Sequence, residues 1–241
     1  MKPKYFDMER HLQEEHGGTA ARLREFILGW QDGLVNVLGI ILGVAAATSD
    51  TRIVIIAGLA ATFAESFSMA AVAYTSTKAE IDYYHSQLEK EKDWIEKRPA
   101  DEKAEVYEVY YRKGFRGKLL DQIVKKITSN RKVWLDFMMN EELGLEKPAA
   151  DKPVNDAILV GASAVIGSLI PLVPFIFLPI GTAVPASAGI SLASLFVVGF
   201  VKAKKTVGTP WREGVEMMVV GGLAAAVGYG VGALLGVALP G

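Results

Sequence analysis

Five stretches of the chain are almost free of charged residues. They run over about 27–47, 53–77, 154–178, 183–203 and 214–239. Each is long enough to supply the ~20 helical residues that cross ~30 Å of hydrocarbon. Between the second and third the pattern changes: residues 78–153 carry 16 basic and 16 acidic side chains. That block reads as helices over 78–97, continuing straight from the second span, then 101–113, 117–129 and 131–143. The breaks fall at Pro99 and at Gly114 with Gly117. The expected fold is all-α: a polytopic membrane protein with five transmembrane helices and a cytoplasmic helical domain. Its parts are an amphipathic N-terminal segment (1–26), transmembrane helices one and two (27–77), the charged domain (78–153) and transmembrane helices three to five (154–241).

Composition agrees with membrane residence: 51% of the residues are hydrophobic and mean hydropathy is +0.25. The charged N-terminal stretch MKPKYFDMERHLQEEH does not read as a signal peptide, so the first span is expected to persist in the mature protein. Net charge is −1 and by itself says nothing about partners; no nucleic-acid partner is expected, and the distribution of charge is more telling. Lys and Arg number 5 before the first span, 1 in the next loop, 16 between spans two and three, none in the next, 4 around the loop between four and five (counting Lys202 at the end of span four), and none after. The alternation puts the N-terminus and residues 78–153 in the cytoplasm. With no cysteine, thiolate zinc sites and iron–sulfur clusters are excluded, and with only three histidines a metal site must rest on oxygen and thioether.

Two carboxylates lie inside apolar spans. Asp32 sits in the first, with Asn36 four residues on; Glu65 sits near the middle of the second, with Ser68 and Met69 three and four residues on. The i+3 and i+4 spacing gathers each set on one helix face. An ionised group at that depth costs at least ~2.5–3.5 kcal/mol, so it is expected to be paired, protonated or lining a path. Asp32 has a structural alternative as the cap of a helix starting later; Glu65 has none as good, since neither span contains Lys or Arg.

The charged block holds a second candidate. In LDFMMNEELG, Met138 and Met139 precede Glu142 by four and three residues; Glu102 and Glu105 share a face of another helix, and Glu91 lies on the extension of span two. Carboxylate with thioether suits Fe²⁺-like ions over Mg²⁺ or Ca²⁺. Methionines as core filler and glutamates as a solvated face is the competing reading. His11 and His16 with Glu14 and Glu15 are read as part of an interfacial helix rather than a site.

Several segments resemble the vacuolar iron transporter family. HLQEEHGGTAARLREFILGWQDGLVNVLG is similar to its first-span motif, AESFSMAAVAYTSTKAEIDYY to its second, and GGLAAAVGYGVGALLG to its last span. The resemblance implies a homodimer of five-span subunits in membrane lipid that moves Fe²⁺, and Mn²⁺ or similar ions such as Co²⁺ and Zn²⁺, out of the cytoplasm in exchange for protons, with no permanently bound cofactor. It implies a transport path through Asp32 and Met69, joined by Asn36, Glu65 and Ser68. It also implies a cytoplasmic metal cluster of Glu91, Glu102, Glu105, Met138, Met139 and Glu142. The chain departs from the family pattern at Ala61 and Trp94, where glutamates are expected, and at Gln31, where asparagine is. No sorting extension is visible, which favours a plasma membrane over a vacuolar one. Two other functions compete. A carboxylate di-iron oxidase wants paired Glu-x-x-His motifs, and only Asp82-x-x-His85 comes near. A metal-sensing scaffold without transport would tolerate loss of Asp32.

Overall fold

The computed structural model describes residues 16–149, 151–205 and 208–238. Among them are eight α-helices, one π-helical turn and no strand. The helices are α1 (His16–Ala47), α2 (Thr51–Lys97), α3 (Pro99–Arg112), α4 (Gly117–Thr128), α5 (Arg131–Phe137), α6 (Lys152–Phe177), α7 (Ile180–Lys205) and α8 (Pro210–Ala238). The π turn, Met138–Glu142, follows α5 directly. Five helices, α1, α2, α6, α7 and α8, are long and apolar enough to cross a membrane. The chain divides into two compact units: one holds residues up to Tyr74 and from Val154 on, the other Thr75–Pro153. The His11, Glu14 and Glu15 reading lies outside the described residues.

In the first unit, α1 runs unbroken through Asp32-Gly33, so Asp32 is interior to a helix and caps nothing. The cap lies at the next helix: Asp50 Oδ1 accepts from Arg52 N at 2.8 Å and opens α2. Pro171 and Pro174 stand inside α6 without ending it. Ser187 of α7 donates to the Pro171 carbonyl at 2.7 Å, tying the two helices together.

Small residues govern packing here, because lipid gives helices no hydrophobic reason to associate and close backbone contact must serve instead. α7 buries every fourth residue: Ala183, Ser187, Ser191, Leu195, Gly199 and Ala203. Gly39 and Gly43 of α1 lie against Gly228 and Gly232 of α8, and Gly29 and Gly33 of α1 lie against the Val160 and Ala164 carbonyls of α6. A Cβ at Gly228 or Gly232 would stand well under 3.0 Å from the α1 backbone. Larger side chains fill the spaces between, as in the cluster of Val37, Ile41, Val54, Leu172, Phe175 and Ala183. Ala61 packs against that cluster, so a carboxylate there would meet apolar side chains.

The second unit is a small bundle built from the end of α2, α3–α5 and the π turn. Pro99 opens α3, with Asp101 in its first turn, where the helix dipole favours a negative charge. Gly114 and Gly144, with positive φ (97° and 64°), follow the ends of α3 and the π turn, while Gly117 (φ 58°) opens α4. The core is Ile95, Val106, Trp134, Phe137 and Met138. Ion pairs cover the outside, with Lys92–Glu89 at 2.6 Å, Lys97–Asp93 at 2.8 Å and Arg131–Glu96 at 2.9 Å. All are exposed to solvent, which screens them, so they add little to stability. The helix expected over 131–143 becomes α-helix to Phe137 and then widens, with Leu143 N bonding to Met138 O at 2.9 Å. Asn130 caps α5, accepting from Lys132 N at 3.0 Å and Val133 N at 3.3 Å. Asn130→Ala should cost about 1 kcal/mol, seen as faster amide exchange at Lys132 and Val133 with little change in α3.

Candidate functional site

Two groups of chemistry-bearing side chains emerge, one in each unit. In the first, Asp32 and Asn36 stand one turn apart on α1, facing Glu65 of α2. The Asn36 amide donates to Glu65 Oε1 at 2.7 Å. The Asp32 carboxyl lies within hydrogen-bonding reach of the Glu65 carboxyl. Asp32, Glu65 and Met69 are half-buried, while Asn36 and Ser68 are exposed on the single chain. Two acids, an amide and a thioether thus come from adjacent membrane-length helices, with no basic residue in either span. Ser66, one position from Glu65, points the other way: it is buried and its hydroxyl has no hydrogen-bond partner.

In the second unit Glu91, Glu102, Met138 and Met139 are all buried, at 2%, 2%, 0% and 2% exposure. Glu91 comes from α2, Glu102 from α3 and the methionines from the π turn. An i→i+5 turn takes in one extra residue, and here two successive thioethers are both buried. The Glu91 and Glu102 carboxyls contact each other, and Oε2 of each has no partner. Burying ionised acids side by side is costly, so one must hold a proton. Burial first, then the charges of Glu105 and Glu91, push the Glu102 carboxyl up to about 8.

Glu105 and Glu142 stand further out and line a cleft of about 430 Å³ with Glu108, Arg112, Lys113 and Glu141. Burial raises both carboxyls; the charge of Asp101 adds to it at Glu105, and that of Glu105 at Glu142. Lys113 pairs with Glu141, and Arg112 with Glu108. The sequence reading passed over Glu108 and Glu141; the i+3 step from Glu105 and the adjacency to Glu142 were the available signals. Trp94 is 39% exposed. Among the described residues no three Asp, Glu or His side chains are already drawn tightly enough together to hold an ion. The buried pair supplies two carboxylates, and the remaining buried donors are sulfur.

The Glu102 shift gives a pH dependence with a definite sign. In the folded unit Glu102 keeps a proton that the unfolded chain loses near pH 4.5. Its contribution to stability is therefore complete below about pH 4.5 and is lost as pH rises through about 8. Amide-exchange protection of α3 and the π turn in metal-free protein, corrected for intrinsic rates, should fall over that range. Glu102→Gln should flatten the dependence.

The fold and its side chains define a class: an all-α membrane protein that carries grouped carboxylates and thioethers both within its spans and in the charged unit between them. Comparison with known proteins is specific. The chain belongs to the VIT family, whose model matches residues 23–233. It is 33% identical over 222 residues to "Vacuolar iron transporter 1" of Oryza sativa subsp. japonica, covering 92% of this chain and 88% of that protein. It is 32% identical over 230 residues to the Arabidopsis thaliana protein of the same name, covering 95% and 92%. To "Protein CCC1" of Saccharomyces cerevisiae it is 29% identical over 223 residues, covering 89% and 69%.

Proposed function

We propose that this chain is a divalent transition-metal transporter that carries Fe²⁺, and Mn²⁺ as a close second, out of the cytoplasm in exchange for protons. The observation that carries the reading is Glu65. It is an acid inside a membrane-length helix, bonded by Asn36 at 2.7 Å, with Asp32 beside it and no Lys or Arg in either apolar span. Such a pair is costly in a membrane unless a mobile cation or a proton visits it. Both bind the same oxygens, so each displaces the other, and exchange follows from competition at one site. Relatives named as iron transporters support iron as the cargo.

In this mechanism Glu91, Glu102, Met138 and Met139, with Glu105 and Glu142 at the rim, collect the ion on the cytoplasmic side. Metal displaces the proton held between the buried glutamates. The ion then passes to Asp32, Glu65 and Met69, with Asn36 and Ser68 completing the polar face, and leaves as protons take its place. That face is open on a single chain, flanked by Phe63 and Phe67 at 67% and 79% exposure. Polar groups left against lipid are unfavourable, so a second copy related by a two-fold axis covers it, and the path runs between subunits.

The test uses purified full-length protein in proteoliposomes, with Fe²⁺ flux followed under an imposed pH gradient. Flux should be faster when protons run opposite to the metal and should carry a matching proton signal. Folded protein giving no iron flux under any gradient removes the reading; flux without proton movement removes the exchange.

A further inference from the structure

The side of the first unit where α1 and α7 meet has a feature that the transport reading leaves unused. A groove of about 390 Å³ is lined by Trp30 of α1 and by Ile190, Ala193, Ser194, Val197 and Val198 of α7. It is apolar apart from the Ser194 hydroxyl and the indole N–H. The lining residues of α7 extend over about 12 Å of helix axis.

Beyond one end of the groove the chemistry changes. Phe26 and Val198 pack on the cluster that holds Trp30 and Leu195, so stepping back along α1 goes with stepping forward along α7. Two turns back from Trp30 stand Arg22 and Arg24, and two turns forward from Val197 stand Lys204 and Lys205, all exposed. Lys204 Nζ lies 4.8 Å from the centre of the Phe200 ring, which holds the ammonium beside the aromatic group Phe196, Phe200 and Trp211. Trp211 is 68% exposed, and Arg212 follows it. Lys202 has its own counter-ion, Glu213, at 2.6 Å. The acids of the same turns, Glu25 and Glu216, leave the basic residues in excess. Aromatic and basic side chains at the end of a span mark headgroup depth.

We propose that this groove is a binding site for an anionic glycerophospholipid. One acyl chain lies along Ile190–Val198 against Trp30, and the phosphate is held by Lys204 and Lys205 with the α1 arginines. Charge complementarity selects the occupant: a zwitterionic lipid gains the same apolar contact but brings a cationic headgroup to a basic surface. The site is separate from Asp32, Glu65 and Met69, and the proposal stands or falls independently of iron transport.

Native mass spectrometry of the full chain in detergent tests it, with phosphatidylglycerol and phosphatidylcholine of identical acyl chains as probes and inorganic phosphate as the headgroup alone. Phosphatidylglycerol should be retained on the order of tenfold better than phosphatidylcholine, and Lys204→Gln with Lys205→Gln should remove that preference. Ala193→Trp, at an exposed position, should fill the groove and reduce retention of both lipids without lowering the unfolding temperature. Equal retention of the two lipids, or retention indifferent to both variants, overturns the proposal. Stabilisation by inorganic phosphate equal to that by phosphatidylglycerol shows a plain anion site and also overturns it. So does Ala193→Trp splitting an assembled protein into single chains, which would make the groove an interface between copies.

Discussion

Gly232→Ala should be among the most damaging single-methyl additions available in this chain. The added Cβ would fall well under 3.0 Å from the Gly43 backbone, and the obstacle is a carbonyl, which cannot change rotamer. The helices must separate along α1 and α8, losing the backbone contact that stands in for hydrophobic association. Overpacking typically costs 1–3 kcal/mol, and a clash with backbone belongs at or above the top of that range, about 3 kcal/mol. Gly228→Ala meets the Gly39 carbonyl and should behave alike. Gly230→Ala is the control: two residues away on the same helix, its Cβ meets nothing within 4 Å, and it should be neutral or slightly stabilising through helix propensity. The readout is the thermal unfolding temperature of detergent-solubilised protein and the fraction eluting as a single species. Gly232→Ala matching Gly230→Ala would show that the α1–α8 seam is not tight.

Glu65→Gln should nearly abolish metal flux while leaving the protein folded. The substitution keeps the size and a hydrogen-bonding group for Asn36 but removes the charge that binds a divalent cation and the site that takes its proton. Losing only a partner that orients a ligand weakens metal sites by about 10–100-fold, so losing the ligand itself should lower flux by at least about tenfold. Asp32→Asn should do the same; Ser68→Ala should do less, since a hydroxyl is a weaker donor to a cation than a carboxylate. Glu89→Gln, which removes an exposed charge paired with Lys92, should leave transport unchanged. Wild-type flux from Glu65→Gln in proteoliposomes would end the proposed role of the in-span acids.

The spans and the charged block between them could be read from the pattern of residues because both depend on local composition: about twenty apolar residues in a row, or acids and bases at helical spacing. Even Pro171 and Pro174 did not obscure α6, which runs through them. Helix ends were less accessible. Among the described residues α1 is already helical from His16, ahead of the span expected from about residue 27, since amphipathic turns can precede a span without any change in backbone. The wide turn at Met138 was hidden for a related reason: i→i+4 and i→i+5 bonding draw on the same residue types. Within one helix, the Glu65–Met69 spacing was available from periodicity alone. The Asn36–Glu65 bond links residues 29 apart and depends on how two helices are rotated against each other, which no local pattern encodes. The same holds for the glycines. Their positions are plain in the chain, but not that Gly43 faces Gly232 while a Cβ at Gly181 or Gly189 would meet nothing.

The α1–α8 seam has a consequence for how this sequence can drift. Elsewhere in a core, an oversized residue can be rescued by shrinking its neighbour, and lineages wander through such compensating pairs. Where Gly43 meets Gly232 both partners are already the smallest residue there is, and the atoms in conflict belong to the main chain. No second-site change in side-chain size can act as a suppressor, so these positions should resist substitution in any selection for function, even one that freely exchanges Leu172, Val54 and their neighbours.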